Sequence, residues 1–177
     1  MKIFDTFTYF NEDMILDIRL NVLNEFVDKF VIVESAFTHS GESKKLNFDI
    51  KNYRKFSDKI IYIVLNNKPY NYLNIIAEDN PESKTRKKII NALILENHQR
   101  NGISKGINNA DDNDLILISD VDEIPKLNSI NLRNIGNNIL FFIQYFFHYK
   151  LNLYLNGLDH FGTKGCLKKV LVSPQWI

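Results

Sequence analysis

The sequence has little of several residue types that mark particular classes of protein. Its 177 residues include one cysteine, Cys166, which excludes an internal disulfide framework and a cysteine-based zinc site. Glycine and proline number only 7 and 4, too few for a low-complexity chain or a long internal linker. We therefore expect a single folded domain over residues 1–177.

The sequence also has almost equal numbers of basic and acidic residues. The 22 basic and 21 acidic residues leave a net charge of +1, without the basic excess of a nucleic-acid-binding protein. The one basic cluster, Lys84 with residues 86–88, is interpreted as the solvated face of a helix. We therefore expect no nucleic-acid partner.

No hydrophobic run is long enough to cross a bilayer. The densest one, residues 139–147, is short and contains Gln144. The first residues reach Asp5 without the apolar stretch typical of a signal peptide. We therefore expect no membrane-spanning segment and a cytoplasmic location, which the low cysteine content also fits.

Apolar residues, at 45%, are numerous enough to bury a core. Apolar patterns predict strands over residues 2–9, 29–34, 59–65, 115–119 and 139–148. They also predict a helix from a cap within residues 11–13 to about 25, and another from Ser83 to about 105. Residues 36–58 and the tail after residue 148 lack a clear pattern. This order predicts an α/β fold, a three-layer α/β/α sandwich with a mostly parallel central sheet.

Polar groups follow three of the predicted strands: Asn11 with Glu12, Glu34 with Ser35, and residues 120–123. Ligands of such sheets bind beyond the carboxyl ends of the strands. We therefore expect the fold to bring these groups together at one edge, although they lie far apart in sequence.

The acidic segment Asp120-Val121-Asp122-Glu123 carries the strongest chemical signal. Two carboxylates spaced by two can face one hard cation, and Mg²⁺ or Mn²⁺ takes one or two such oxygens beside water and substrate phosphates. An isolated Asp-x-Asp is more often a plain acidic turn. Three acids at the mouth of a sheet repel one another unless a cation is present, which favours a metal site with Asp120 and Asp122 as ligands.

Four segments, taken in order, resemble glycosyltransferase family 17. They are FDTFTYFNEDMILDIRLNVL, VDKFVIVESAFTHSG, NHQRNGISKGI and ISDVDEIP. Together they cover most of residues 1–125, and beyond residue 140 the resemblance is looser. It implies a GT-A fold, a UDP-sugar donor such as UDP-GlcNAc, a divalent metal, a glycan acceptor and inversion at the anomeric carbon.

The resemblance also implies that two parts of the chain bind different substrates. Residues 1–125 would bind the nucleotide sugar, and residues 126–177 would form the acceptor side. The chain is short for the family, so the acceptor side can be incomplete.

Roles on the donor side follow from the same resemblance. Asp122 would ligate the metal directly, and Asp120 would contact the ribose, or the metal through water. Glu34 would lie near the nucleotide, and Asn11 and Glu12 would line the loop after the first strand.

Arg100 is a candidate for positioning the diphosphate or the acidic segment, because a guanidinium forks onto paired oxygens. The catalytic candidates are Asp122, Glu123 and Asp159, the last of which precedes His160 after the aromatic strand. The general base that inversion requires is not assigned among them.

Plainer interpretations exist for several of these residues. Arg100 could balance Glu96 one helical turn away, and Arg19 could form a surface or helix–sheet ion pair. The aromatic residues of segment 139–148 could stack on a sugar, but most of them are expected in the core.

Three alternative interpretations stay open. A metal-dependent phosphatase would use Asp5 as its nucleophile, but Phe7 stands where a second aspartate is usual. A nucleotidyltransferase would usually show a glycine-rich phosphate loop, and the sequence has none. The last alternative is a non-catalytic or truncated relic that binds nucleotide sugar.

Overall fold

The computed structural model describes residues 1–132, 135–147, 149, 153–157 and 159–177, with only the backbone at Ser129. The described part holds six strands: β1 Ile3–Tyr9, β2 Lys29–Ser35, β3 Ile60–Leu65, β4 Leu115–Asp120, β5 Leu140–Gln144 and β6 His160–Leu167. It also holds three α-helices, α1 Asp13–Leu23, α2 Pro81–Asn101 and α3 Ile103–Gly106. Two 3₁₀ segments cover Ile50–Phe56 and Leu127–Ser129.

The six strands form one mixed sheet in the order β3-β2-β1-β4-β6-β5. Strands β1 to β4 pair in parallel, whereas β6 runs antiparallel to both β4 and β5. The fold is therefore α/β, with two antiparallel strands completing the parallel part. Because parallel neighbours need long crossovers, each connection within the parallel part carries helical turns.

Apolar residues lie on both faces of the central strands, which explains their continuous hydrophobic runs. On one face, Phe7, Phe30 and Ile32 pack in the same cluster as the buried leucines of α1. On the other face a second cluster, the α3 cluster, joins Phe4, Val31 and Val33 of the sheet to Ile103 and Ile107 of the α3 region. Among the described residues, no helix is both long and apolar enough to cross a membrane.

Helix α2 begins earlier than its predicted start at Ser83. Asn80 is the N-cap, and its side-chain oxygen accepts a hydrogen bond of 2.8 Å from the Ser83 amide. Pro81 occupies the first helical position, where its missing N–H would have no helical partner anyway. The helix ends at Asn101, and the separate helix α3 follows, so one long helix to residue 105 was wrong.

Strand β5 is shorter than the predicted strand 139–148. Its pairing with β6 stops at Gln144 and shifts register between Phe141 and Ile143. Because β5 is the edge of the sheet, Phe142 is buried but Phe141 and Tyr145 are 54% and 78% exposed. The expectation that most of these aromatic residues lie in the core was therefore wrong. His148, within the predicted strand, lies outside the described residues.

Strand β6 was not predicted, because it lies in the tail after residue 148, whose sequence has no clear pattern. Gly162, Thr163, Lys164 and Gly165 interrupt the apolar pattern of this strand. The region 36–58 was also more ordered than its pattern indicated, because Phe48, Tyr53 and Phe56 are buried there.

Candidate active site

The carboxyl ends of β1, β2 and β4 lie side by side. The strand register pairs Tyr9 with Glu34 and Thr8 with Asp120. The groups that follow these strands therefore share one edge of the sheet, as their positions at the strand ends predicted. The local reason is the parallel pairing of three neighbouring buried strands.

The acidic segment 120–123 forms a tight turn at this edge. Glu123 closes it: one carboxylate oxygen accepts a 2.9 Å hydrogen bond from the Asp120 amide. Its other oxygen lies 3.0 Å from Nε2 of His160 on β6. The Asp120 side chain is 53% exposed, and the exposed Asp122 carboxylate contacts no hydrogen-bond or ion-pair partner in the described chain. Glu123 thus holds the turn while both aspartates face solvent.

Arg19 of α1 supports the same turn from the interior. Its side chain is fully buried, and Nε and Nη2 donate to the two oxygens of Asp5 at 2.8 and 2.7 Å. Nη1 donates at 3.0 to 3.1 Å to three backbone carbonyls of the turn, those of Asp120, Val121 and Glu123. A further bond from Nη2 to the Ser119 hydroxyl completes the set.

Arg19 was not predicted to belong to the site, although the sequence contains a signal for it. Arg19 lies three residues after Leu16 and four before Leu23, so it shares the buried stripe of α1. A charged residue on an apolar stripe needs a partner, and Asp5 in the middle of apolar β1 supplies it. The helix–sheet ion pair considered from the sequence is the one observed.

Arg100, in the last turn of α2, reaches the acidic segment from the other side. Its Nη2 lies 3.0 Å from Asp120 Oδ1 and 3.8 Å from Glu96 Oε1, so both predicted partners are found. Its Nε is buried and has no hydrogen-bond partner in the described part of the chain.

Glu34 is fully buried at the end of β2. Its carboxylate accepts hydrogen bonds from the amides of Asn47 and Phe48 at 2.8 and 3.1 Å and from the Tyr62 hydroxyl at 2.7 Å. The Lys44 ammonium also contacts it. Burial, together with this bond, raises the pKa of Tyr62. Glu34 therefore fixes the loop after β2, and its contact with a nucleotide stays a prediction.

Asn11, Glu12 and Asp159 occupy more exposed positions. One Glu12 carboxylate oxygen accepts 3.0 Å bonds from the amides of Phe10 and Asn11, which shapes the loop after β1. Asp159 is exposed just before β6 and has no hydrogen bond or ion pair with the described residues. His160, rather than Asp159, contacts the acidic segment.

A cavity of about 430 Å³ opens beside the turn. Its walls come from α2, the end of β4, β6 and the last residues of the chain, and include Arg100, Asp120, Glu123, Gly162, Lys164 and Trp176. Both carboxylates and cations therefore line one space at the carboxyl end of β4. A larger concavity along the exposed side of α2 contains none of the predicted site residues.

Comparison with known proteins identifies the family. The model of "Glycosyltransferase family 17" matches residues 1–164. The chain belongs to glycosyltransferase family 17. The resemblance noted from the four sequence segments is thereby confirmed.

Two curated relatives of this family 17 chain are the beta-1,4-mannosyl-glycoprotein 4-beta-N-acetylglucosaminyltransferases of Homo sapiens and Rattus norvegicus. Each is 28% identical over 120 residues. The match covers 66% of this chain and 20% of each relative, so the chain spans about a fifth of their length. No solved structure matches the chain significantly.

The possible metal ligands of this family 17 chain suit a cation that also binds the substrate. Asp120 and Asp122 offer exposed carboxylate oxygens, the ligands that Mg²⁺ and Mn²⁺ prefer. The described residues contain no group of three or more His, Cys, Asp or Glu side chains that could hold a metal by themselves. The two aspartates therefore fit an ion that takes its other ligands from water and phosphates.

Asp5 does not fit the phosphatase alternative. It is fully buried and both of its oxygens are bonded to Arg19, so a substrate cannot reach it.

Proposed function

We propose that this chain transfers N-acetylglucosamine from UDP-GlcNAc to a glycan acceptor, with inversion and with Mn²⁺ or Mg²⁺, on a GT-A-like α/β/α fold. Membership of family 17 and the names of the two relatives support the reaction class. The observation that carries the proposal is the pair of exposed aspartates, Asp120 and Asp122, on a turn whose backbone is held by buried groups.

Asp122 would hold the cation, and Asp120 would contact it or the ribose. When bound, the cation neutralises the charge that develops on the diphosphate leaving group. Arg100 would position Asp120, to which it is already bonded, and contact the diphosphate. Residues 1–125 would form the donor side and residues 126–177 the acceptor side.

The rigidity of the turn supports this function. Arg19 fixes three of its carbonyls from the interior, and the Thr163 hydroxyl donates at 2.7 Å to the Glu123 carbonyl from β6. Groups held in place before the substrate arrives need not reorganise during the reaction, which is the main source of electrostatic catalysis.

The general base would act on the acceptor hydroxyl. Both carboxylate oxygens of Glu123 are engaged within the turn, whereas Asp159 is exposed and its carboxylate is available. Asp159 is therefore the stronger candidate to take the proton of the acceptor hydroxyl.

Calorimetric titration of UDP-GlcNAc into the full chain, with and without Mn²⁺, tests the donor site. We expect binding that requires Mn²⁺ and that Asp122→Ala abolishes. The matched control is Asp112→Ala, which removes an exposed acid from the turn before β4 and should bind as the original chain does.

Transfer is tested separately, by incubating the chain with UDP-GlcNAc, Mn²⁺ and a mannose-containing N-glycan. Release of UDP with a gain of one N-acetylhexosamine mass on the glycan is the expected result. No donor binding with Mn²⁺ would overturn the proposal, and binding without any transfer or donor hydrolysis would overturn its catalytic part.

A further inference from the structure

Lys164 has no role in the site described so far, yet it lines the same cavity as Arg100 and Asp120. It lies on β6 directly opposite Ile118 of β4, two residues before Asp120. Paired residues of neighbouring strands share a face of the sheet, so Lys164 lies on the face of Ile118, which the α3 cluster covers. The fold thus places a lysine beside the acidic segment and opposite α2.

Among the described residues, the Lys164 ammonium has no counter-charge. The side chain is half-buried and makes no hydrogen bond, ion pair or ring contact with any described residue. Neither acid of the cavity forms an ion pair with Lys164. Asp120 is bonded to Arg100, and Glu123 is bonded to the Asp120 amide and to His160. A half-buried cation without a partner is unfavourable, and an anionic ligand would remove that penalty.

Arg100 shows the same deficit from the opposite wall. One of its nitrogens, Nε, is buried and finds no acceptor in the part of the chain that the structure describes, while Nη2 is bonded to Asp120. Two incompletely paired cations from α2 and β6 therefore line one cavity next to two exposed aspartates. A small ligand with several negative oxygens would pair with both cations. If it also bound a divalent cation, that cation would pair with the two aspartates. A diphosphate has this chemistry.

We propose that Lys164, together with Arg100, binds the diphosphate of the donor. This inference rests on the proposed function. In the transfer step the acceptor oxygen forms a bond to the anomeric carbon, and its proton passes to the base. The bond from that carbon to the phosphate oxygen breaks, and its electron pair stays on the phosphate. Lys164 stabilises the negative charge that the diphosphate gains.

Lys164→Met tests the assignment, because it keeps most of the apolar stem and removes the ammonium group. In the presence of Mn²⁺ we expect UDP and UDP-GlcNAc to bind about 10- to 100-fold more weakly, the range of a charged hydrogen bond. Uridine, which has no phosphate, should bind equally to both proteins. Lys164→Arg should stay within about threefold of the original affinity.

Thermal melting shows whether Lys164→Met weakens binding without destabilising the fold. Removing an unpaired cation should leave the ligand-free melting temperature unchanged or higher, while the rise caused by UDP with Mn²⁺ should shrink. The control variant is Lys169→Met, an exposed lysine just after β6 that lies outside the cavity.

Competition with simple anions separates the donor diphosphate from a general anion site. Inorganic diphosphate should displace UDP from the original chain at lower concentration than inorganic phosphate does, and Lys164→Met should reduce that difference. If Lys164→Met binds UDP as tightly as the original chain, the inference is wrong and the proposed function stands. If the original chain binds neither UDP nor UDP-GlcNAc, both are wrong.

Discussion

Arg19 and Asp5 form a fully buried ion pair, with Nη2 2.7 Å from Oδ1, and the same guanidinium holds the backbone of the acidic segment. The pair joins three elements: α1, the middle of β1 and the end of β4. A buried pair of this kind contributes little net stability by itself, because both charges lose their hydration. Its effect is to fix the position of a turn whose aspartates would bind substrate.

Replacing Arg19 by methionine should destabilise the protein strongly. The substitution leaves the Asp5 carboxylate buried without its partner, which costs about 3 to 5 kcal/mol. Urea denaturation of both proteins measures the change in the free energy of unfolding. Arg54→Met, at an exposed position of the first 3₁₀ segment, is the control and should change it by less than about 0.5 kcal/mol. A loss below about 1 kcal/mol for Arg19→Met would mean that the pair is not as isolated from water as the structure shows.

Arg19→Lys should separate positioning from folding. Lysine keeps a positive charge near Asp5 but has no planar fork to reach that carboxylate and three carbonyls together. We expect a folded protein whose Mn²⁺-dependent donor binding is about tenfold weaker. The stability-matched control is Asn91→Ala, which removes buried hydrogen bonds to Leu73 far from the acidic segment. Equal donor affinity in Arg19→Lys and the original chain would show that Arg19 is only structural.

The parallel core could be predicted from the sequence because its signals are local. The buried runs of β2 and β4 are continuous, and each is followed by polar residues, so both the strands and the shared edge were found. The family could be predicted for the same reason, since the four matching segments cover these elements.

The antiparallel part could not be predicted, because its stability comes from partners distant in sequence. Strand β6 contains two glycines and polar residues, and only its pairing with β4 defines it. Gly165 is needed there because a Cβ would approach a Leu117 methyl carbon to 2.7 Å. The roles of Arg19 and Lys164 were missed for the same reason: each depends on neighbours more than 40 residues away along the chain.

Glu34→Gln should loosen the loop after β2. An amide oxygen can replace only part of the carboxylate, which accepts from two backbone amides, Tyr62 and Lys44. We expect a loss of about 2 kcal/mol in the free energy of unfolding and faster tryptic cleavage after Lys44 or Lys45. Glu42→Gln changes an exposed acid in the same loop and should alter neither quantity. Unchanged cleavage in Glu34→Gln would show that the loop is held by other contacts.

Alkaline pH should destabilise the protein through its buried tyrosines. Tyr9 and Tyr53 both donate to Oδ1 of Asp13, at 2.7 and 2.9 Å. Burial, and then the bond to Asp13, raises the pKa of Tyr53 above its usual value. Below about pH 10 both the folded and unfolded chains keep the tyrosine proton, so this contribution is complete. Above it only the unfolded chain ionises, and the free energy of unfolding falls as pH rises.

Tyr53→Phe provides the measurement of this effect. The experiment is urea unfolding at several pH values from 8 to 11. Above pH 10 the free energy of unfolding should fall less steeply in the variant, by up to about 1 kcal/mol per pH unit. Tyr70→Phe is the control, because Tyr70 is fully exposed and should leave the slope unchanged. Parallel curves for Tyr53→Phe and the original chain would contradict the raised pKa.

Gly162→Ala should disturb the turn from its β6 side. A Cβ at this position would lie 1.8 Å from Oε1 of Gln144 and 3.3 Å from the Glu123 carboxyl carbon. The Gln144 side chain would have to move, and the Thr163 amide would lose its 2.8 Å hydrogen bond. We expect a loss of about 1 to 3 kcal/mol in stability, together with weaker donor binding, since the neighbouring Thr163 hydroxyl holds the Glu123 carbonyl.

A double-mutant cycle shows whether this clash is the cause. A Gln144→Ala background removes the 1.8 Å clash and leaves only the 3.3 Å approach to the Glu123 carboxyl carbon, so Gly162→Ala should destabilise by at least about 1 kcal/mol less than it does alone. Urea denaturation of the original chain, the two single variants and the double variant gives the coupling directly. Additive losses would contradict the prediction, because they would place the effect of the methyl group on the backbone of β6 rather than on the contact that braces the acidic segment.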